Sequence, residues 1–175
     1  MHNSKAWVLG LVIAIACAVG GVHAGDTRNV STRAELQQAL SNTSDTTEIT
    51  LQSGDYGVLS IHGLKKPAGM PLVLRSIDPA NPARFSKVIL HDVQNVTIDS
   101  VIFDYSYQTG DKIYYRPFQA LLSVGVTIRN SFFDGDLWRG EGEASNGYPT
   151  AFGMAVRFSS DLTFEDNEIR GFFAV

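Results

Sequence analysis

Three stretches of the chain repeat one pattern of apolar and polar positions. NVTIDSVIFD begins at Asn95, GVTIRNSFFD at Gly125 and DLTFEDNEIR at Asp161, so the copies start 30 and then 36 residues apart. Each reads as a small or polar residue, apolar-Thr-apolar, two polar residues, one variable position, an apolar or acidic position, an apolar position and a charge. A helix would bring its apolar positions back every three or four residues. Val96 and Ile98, Val126 and Ile128, Leu162 and Phe164 alternate instead, as in a strand. The pairs that follow, Asp99-Ser100, Arg129-Asn130 and Glu165-Asp166, have turn chemistry, and a second short apolar run comes after each. A third run precedes each copy: Val88-Ile89-Leu90, Ala120-Leu121-Leu122 and Val156-Arg157-Phe158. Self-similarity at this period marks stacked architectures. Three short strands per turn of chain predict an all-β fold, a parallel β-helix.

Upstream of the repeats, NVSTRAELQQAL places Thr32 and Glu35 at capping-box spacing and puts Leu36, Ala39 and Leu40 on one helical face. A short helix over about 32–41 is expected to cap the apolar end of the first coil and keep other chains from pairing there. Strands are expected at 48–51, 58–61 and 72–74, with a turn at 54–57 and loops at 65–71 and 78–82 marked by Pro and Gly. At the other end, residues 171–175, GFFAV, read as the start of another inward strand and not as a cap. The expectation is a β-helix domain over 25–175, its coils running from about 48, truncated at the C-terminal end of a longer protein. An open last coil would offer an edge for self-association.

Stacked copies would form ladders. Val96, Val126 and Leu162 would point inward, as would Ile98, Ile128 and Phe164, each contributing about 1.5–3 kcal/mol on full burial. Asp99, Arg129 and Glu165 would alternate minus, plus, minus. Two readings are open: Arg129 as a substrate clamp, or a surface ion-pair ladder worth about 0–1 kcal/mol per pair. Ser100, Asn130 and Asp166 would stack at a corner as a ladder of short polar side chains.

STRAELQQAL, the following ITLQSGDY, and the repeats NVTIDSVIF, GVTIRNSFF and DLTFEDNEI together make the chain, from about residue 29 to 175, resemble the secreted right-handed parallel β-helix proteins. This is the pectate-lyase-like group, which includes polysaccharide lyases, hydrolases and epimerases. The corner ladder is similar to that family's asparagine ladder, imperfectly kept. These motifs form coils, so the resemblance implies the fold and leaves the chemistry open.

Composition narrows the partners. Residues 1–24 carry Lys5, an apolar run from 6 to 19, and Val22-His23-Ala24, the features of a secretory signal. The run is shorter than the roughly 20 residues a membrane span needs. A secreted or periplasmic location is expected, with no span once the signal is removed. Ala14-Ile15-Ala16-Cys17 weakly matches a lipoprotein cleavage box but lacks the usual leucine. Cys17 is the chain's one cysteine, so no disulfide can staple the domain. The net charge of −4 argues against nucleic acid, whereas local basic clusters can still take an acidic polysaccharide.

The repeat is interrupted twice at the same point, by YSYQTGDKIYYRP after Asp104 and GDLWRGEGEASNGYP after Asp134. The two insertions are expected side by side. Of six tyrosines, Tyr105, Tyr107, Tyr114, Tyr115 and Tyr148 lie in them, together with Trp138. Flat aromatic faces with polar edges suit sugar rings, which makes these residues a candidate glycan-binding wall. The alternative is that the loops pack on each other and bury their aromatics. Asp104, Asp111, Asp134, Asp136, Glu141 and Glu143 supply carboxylates nearby.

The resemblance implies three chemistries. A lyase neutralises a uronate carboxylate so that a base can take the neighbouring carbon-bound proton. Asp104, Asp134 and Asp136 are candidate calcium ligands, with Lys112, Arg116 or Arg139 as clamp and base. The alternative, which their setting favours, is that those aspartates are ordinary solvated turn residues. A hydrolase needs two carboxyl groups at a fixed separation, and no spacing singles out a pair. An epimerase needs a second proton donor, for which Tyr114 or Tyr115 serves. His62 and His91 read as surface or corner residues away from the insertions. The competing class is a non-catalytic β-helix that binds glycan, mediates adhesion or builds the cell envelope.

Overall fold

The structure is a computed structural model and describes residues 25–136 and 149–174. Residues 1–24, read above as a secretory signal and including Lys5 and Cys17, lie outside those residues. In chain order the elements are β1 (Asp26–Val30), α1 (Arg33–Ser41), β2 (Thr46–Leu51), β3 (Val58–His62), β4 (Leu72–Ser76), β5 (Arg84–Phe85), β6 (Lys87–His91) and β7 (Gln94–Asp99). Then come β8 (Ile102–Asp104), β9 (Phe118–Leu121), β10 (Val124–Arg129), β11 (Phe132–Asp134), β12 (Ala155–Arg157), β13 (Thr163–Glu165) and β14 (Glu168–Arg170).

Every named pairing is parallel, and the strands fall into three sheets. The first sheet runs β1-β2-β4-β7-β10-β13, the second β5-β8-β11-β14 and the third β3-β6-β9-β12. From β3 onward the chain visits third, first and second sheet in rotation, four times. The arrangement is mostly β and consistent with a parallel β-helix.

The ladders follow from the alternation. In the first sheet Val96, Thr97 and Ile98 pair with Val126, Thr127 and Ile128, and Ile128 continues to Phe164. Leu72, Leu74, Val96, Ile98, Val126 and Ile128 are fully buried. Phe164 is exposed because no strand follows β13 in the first sheet among the described residues. In the second sheet Phe85, Phe103 and Phe133 fall in register. The rings of Phe103 and Phe133 stack at 4.1 Å with Phe118 edge-on to both, so aromatic contacts add to the burial.

Two corners recur with the same backbone. Ser100, Asn130 and Asp166 turn from the first sheet to the second at φ 55°, 50° and 52°, and Asp92, Leu122 and Phe158 turn from the third to the first at 53°, 53° and 50°. Asn and Asp tolerate this left-handed region, which explains the polar pairs in the repeat. A third such column comprises Asn95, Gly125 and Asp161. A Cβ on Gly125 would come within 2.5 Å of the Asn95 Oδ1, so glycine is needed there for space as well as for φ.

The polar ladder sits one residue later than the sequence pattern suggests. Ser131 Oγ accepts from Val101 N, and Asn167 Oδ1 accepts from Ser131 N. The same relay recurs at the other corner through Ser123 and Ser159. The left-handed residue points its own side chain outward, as Asn130 does toward Asp99, and the next residue turns back to meet the buried amide.

Helix α1 starts as the capping box requires. Glu35 N donates to Thr32 Oγ1 at 3.2 Å, and the Glu35 carboxylate accepts from Thr32 N and Ser31 N. The amide of Ser31, ahead of its hydroxyl, holds the Glu35 carboxyl below its ordinary value. Leu36 and Ala39 are buried in the core. Strand β1, ahead of the helix, was not legible in the pattern. Lys66, buried in the 65–71 loop, donates to the carbonyls of Thr43, Ser44 and Thr46 and ties that loop to the start of β2.

Candidate functional site

Both insertions leave the second sheet and re-enter the third, after β8 and after β11. Because Asp104 and Asp134 are register partners, the insertions start one above the other. Four hydrogen bonds tie the first insertion to described residues at the start of the second and on either side of it: Tyr105 N to Asp134 O at 2.9 Å, Tyr107 N to Asp136 Oδ2 at 3.0 Å, Ala151 N to Ile113 O at 3.0 Å and Phe152 N to Tyr115 O at 2.9 Å. Turns closed by Asp111 N to Gln108 O and Tyr115 N to Lys112 O shape the first insertion.

The aromatics divide by depth. Tyr105 is 4% exposed and belongs to the core, its hydroxyl donating to Asp111 Oδ2 at 2.8 Å. Burial, then that bond to a carboxylate, raises the Tyr105 pKa well above the ordinary tyrosine value. Tyr107 is half-buried, and its hydroxyl accepts from Gly110 N. Tyr115 packs its ring 5.8 Å from that of Tyr105 and carries Lys87 Nζ 5.6 Å over its face. Tyr114 is 57% exposed, between exposed Ile113 and half-buried Tyr115. Within the described residues, then, Tyr105, Tyr107 and Tyr115 build the wall and Tyr114 is the aromatic it presents.

Lys112 is exposed beside Tyr114, and Arg116 lays its guanidinium 5.3 Å over Phe152. Trp138, Arg139 and Tyr148, with Glu141 and Glu143, lie outside the described residues. The three aspartates proposed for calcium are placed near one another but engaged elsewhere. Asp104 pairs with Arg84 at 3.0 Å, Asp134 with Arg170 at 3.3 Å, and Asp136 accepts from Tyr107 N. Among the described residues no three His, Cys, Asp or Glu side chains gather that could hold a metal ion.

Asp99, Arg129 and Glu165 do form the alternating ladder. Arg129 Nε lies 2.8 Å from Asp99, and its Nη1 lies 3.9 Å from Glu165. Arg75 extends the ladder back to Glu48. Burial works to raise the Asp99 pKa, but the hydrogen bonds from Asn130, Ser100 and Arg129 outweigh it and hold the carboxyl below its ordinary value. With both neighbours engaged, Arg129 reads as part of the ladder.

Missing from the sequence reading was the surface beside the insertion. The outward face of the third sheet carries Lys87 at its insertion edge, then the rows Ser60, Ile89, Gln119 and His62, His91, Leu121, Arg157. The alternation within the third strand of each turn is the signal that puts these residues on one face. No helix among the described residues is long and apolar enough to cross a membrane.

No protein-family model matches the chain, and no curated protein matches it in sequence. Among solved structures, an alginate lyase from Paenibacillus sp. str. FPU-7 is similar at 16% identity and a TM-score of 0.37. The match covers 81% of this chain and 65% of that one, just under two thirds of its length.

Proposed function

We propose that the chain is a secreted right-handed parallel β-helix protein that holds a polysaccharide, preferentially an acidic one, along the first insertion and the adjoining face of the third sheet. The observation that supports this best is the stapling of the two insertions, which gives Lys112, Ile113 and Tyr114 a rigid mount while leaving them exposed. Binding groups on a fixed scaffold lose little entropy on association. Tyr114 offers a flat face to a sugar ring, and Lys112 and Arg116, with Lys87 behind Tyr115, offer cations to carboxylates. If the site turns over its ligand, Lys112 or Arg116 is the group we assign to clamp the uronate or take its proton.

A second reading has the same surface bind without turnover. It is favoured by the pairing of Asp104 with Arg84 and Asp134 with Arg170, which commits those carboxylates to the scaffold. One experiment separates the two. The protein is run through gels containing a polyuronate or a neutral glucan, and the same mixtures are followed for unsaturated uronate ends by ultraviolet absorbance and for new reducing ends. Retardation by the polyuronate, weakening as salt rises, is expected. Product formation selects the enzyme, and retardation without product selects the binding protein. Migration unaffected by either polymer would refute the proposal.

A further inference from the structure

His62 and His91 are register partners on adjacent parallel strands, β3 and β6, and stand on the same outward face. Their ring centroids are 5.4 Å apart and the planes are tilted by 34°. Two imidazoles on one tetrahedral zinc, each bonded at about 2.0–2.1 Å, place their ring centres about 5 Å apart. Square-planar coordination at similar bond lengths would bring the centres closer, to about 4.5 Å. The observed spacing is close to the tetrahedral value.

A second contact supports the pair. Ser60, two residues before His62 on the same face, holds its Oγ 2.8 Å from His62 Nε2. A ligating imidazole binds metal through one nitrogen and gives the other to an outer partner that fixes ring and tautomer. With Nε2 engaged by Ser60, Nδ1 is left as the ligand atom. Lys65, three residues after His62, is paired with Asp92 at 2.6 Å, which compensates its charge.

We propose that His62 and His91 bind one Zn²⁺ ion between them, with Ser60 as the orienting partner and water in the remaining positions. The ion would tie one turn of the chain to the next across the face of the third sheet. Nothing in this assignment requires the polysaccharide reading, and either can fail alone.

The test uses the full chain, purified without a histidine tag, and zinc chloride as the probe. His2 and His23 are present in every variant and serve as a constant background. Calorimetric titration should show a zinc equivalent that H62A or H91A weakens by at least about tenfold, since loss of even an outer partner typically costs that much. H62A/H91A should abolish it, and S60A should weaken it while leaving the stoichiometry unchanged. In the wild type, ring proton resonances of both histidines should shift together on zinc addition, a readout that needs no variant. Ring signals that stay fixed at saturating zinc, or an equivalent retained in the double variant because the ion sits elsewhere, would overturn the proposal.

Discussion

Asp99 shows how one side chain can serve both packing and charge. It is buried at the corner of β7, yet its carboxylate accepts from Ser100, Arg129 and Asn130. Its folded pKa lies below the ordinary value of 3.8, so its contribution is complete above that value and is lost as pH falls through the lower folded one. Asp99→Asn should therefore destabilise the protein at neutral pH, and the gap from wild type should shrink as the pH drops below about 3.8. Denaturant midpoints measured for both proteins across that range check it; a gap independent of pH would assign the effect to packing. The alternating charges at 99, 129 and 165 were legible because equivalent positions of the repeat fall in register on neighbouring parallel strands. Depth was not legible: Asp99 is covered by its neighbours, and only the folded corner shows that.

The corners explain why some elements could be read and others not. The strands with alternating apolar positions, β2, β3, β4, β6, β7 and β10, fall where the pattern put them, and α1 begins at its capping box. Strand β1, DTRNV, has no apolar alternation; it forms by pairing with β2 along the first sheet. Strand β5 is two residues long and announces itself through Phe85 alone. The polar ladder was expected at Ser100, Asn130 and Asp166 because the pairs there have turn chemistry, but a left-handed backbone turns those side chains away from the buried amides. Asn167 takes that role, accepting from Ser131 N and donating to Ile128 O. Asn167→Ala should cost about 1–3 kcal/mol, the penalty for leaving buried backbone groups unpaired. Urea denaturation measures it directly, and Asp166→Ala at the neighbouring position should cost less, through its left-handed backbone alone.

Across the whole molecule, regular strands set a frame and two insertions at one corner depart from it. The interruption at 104 and 134 was visible because the repeat is otherwise tight, and the structure places the insertions in contact as the shared register requires. Which tyrosine would remain exposed was not visible. Tyr105 and Tyr114 are the same residue type nine positions apart, and only folding sends one into the core and the other to solvent. Among the described residues the candidate site comprises Tyr114 with Lys112 and Arg116, beside the third-sheet face that carries Lys87. The most direct test is the affinity of Tyr114→Ala for a polyuronate oligosaccharide, measured by calorimetry beside the wild type. Binding weakened by at least about tenfold, or 1.4 kcal/mol, with an unchanged denaturation midpoint, is the predicted result. Equal affinity in the two proteins would contradict the assignment of this surface as the polysaccharide site.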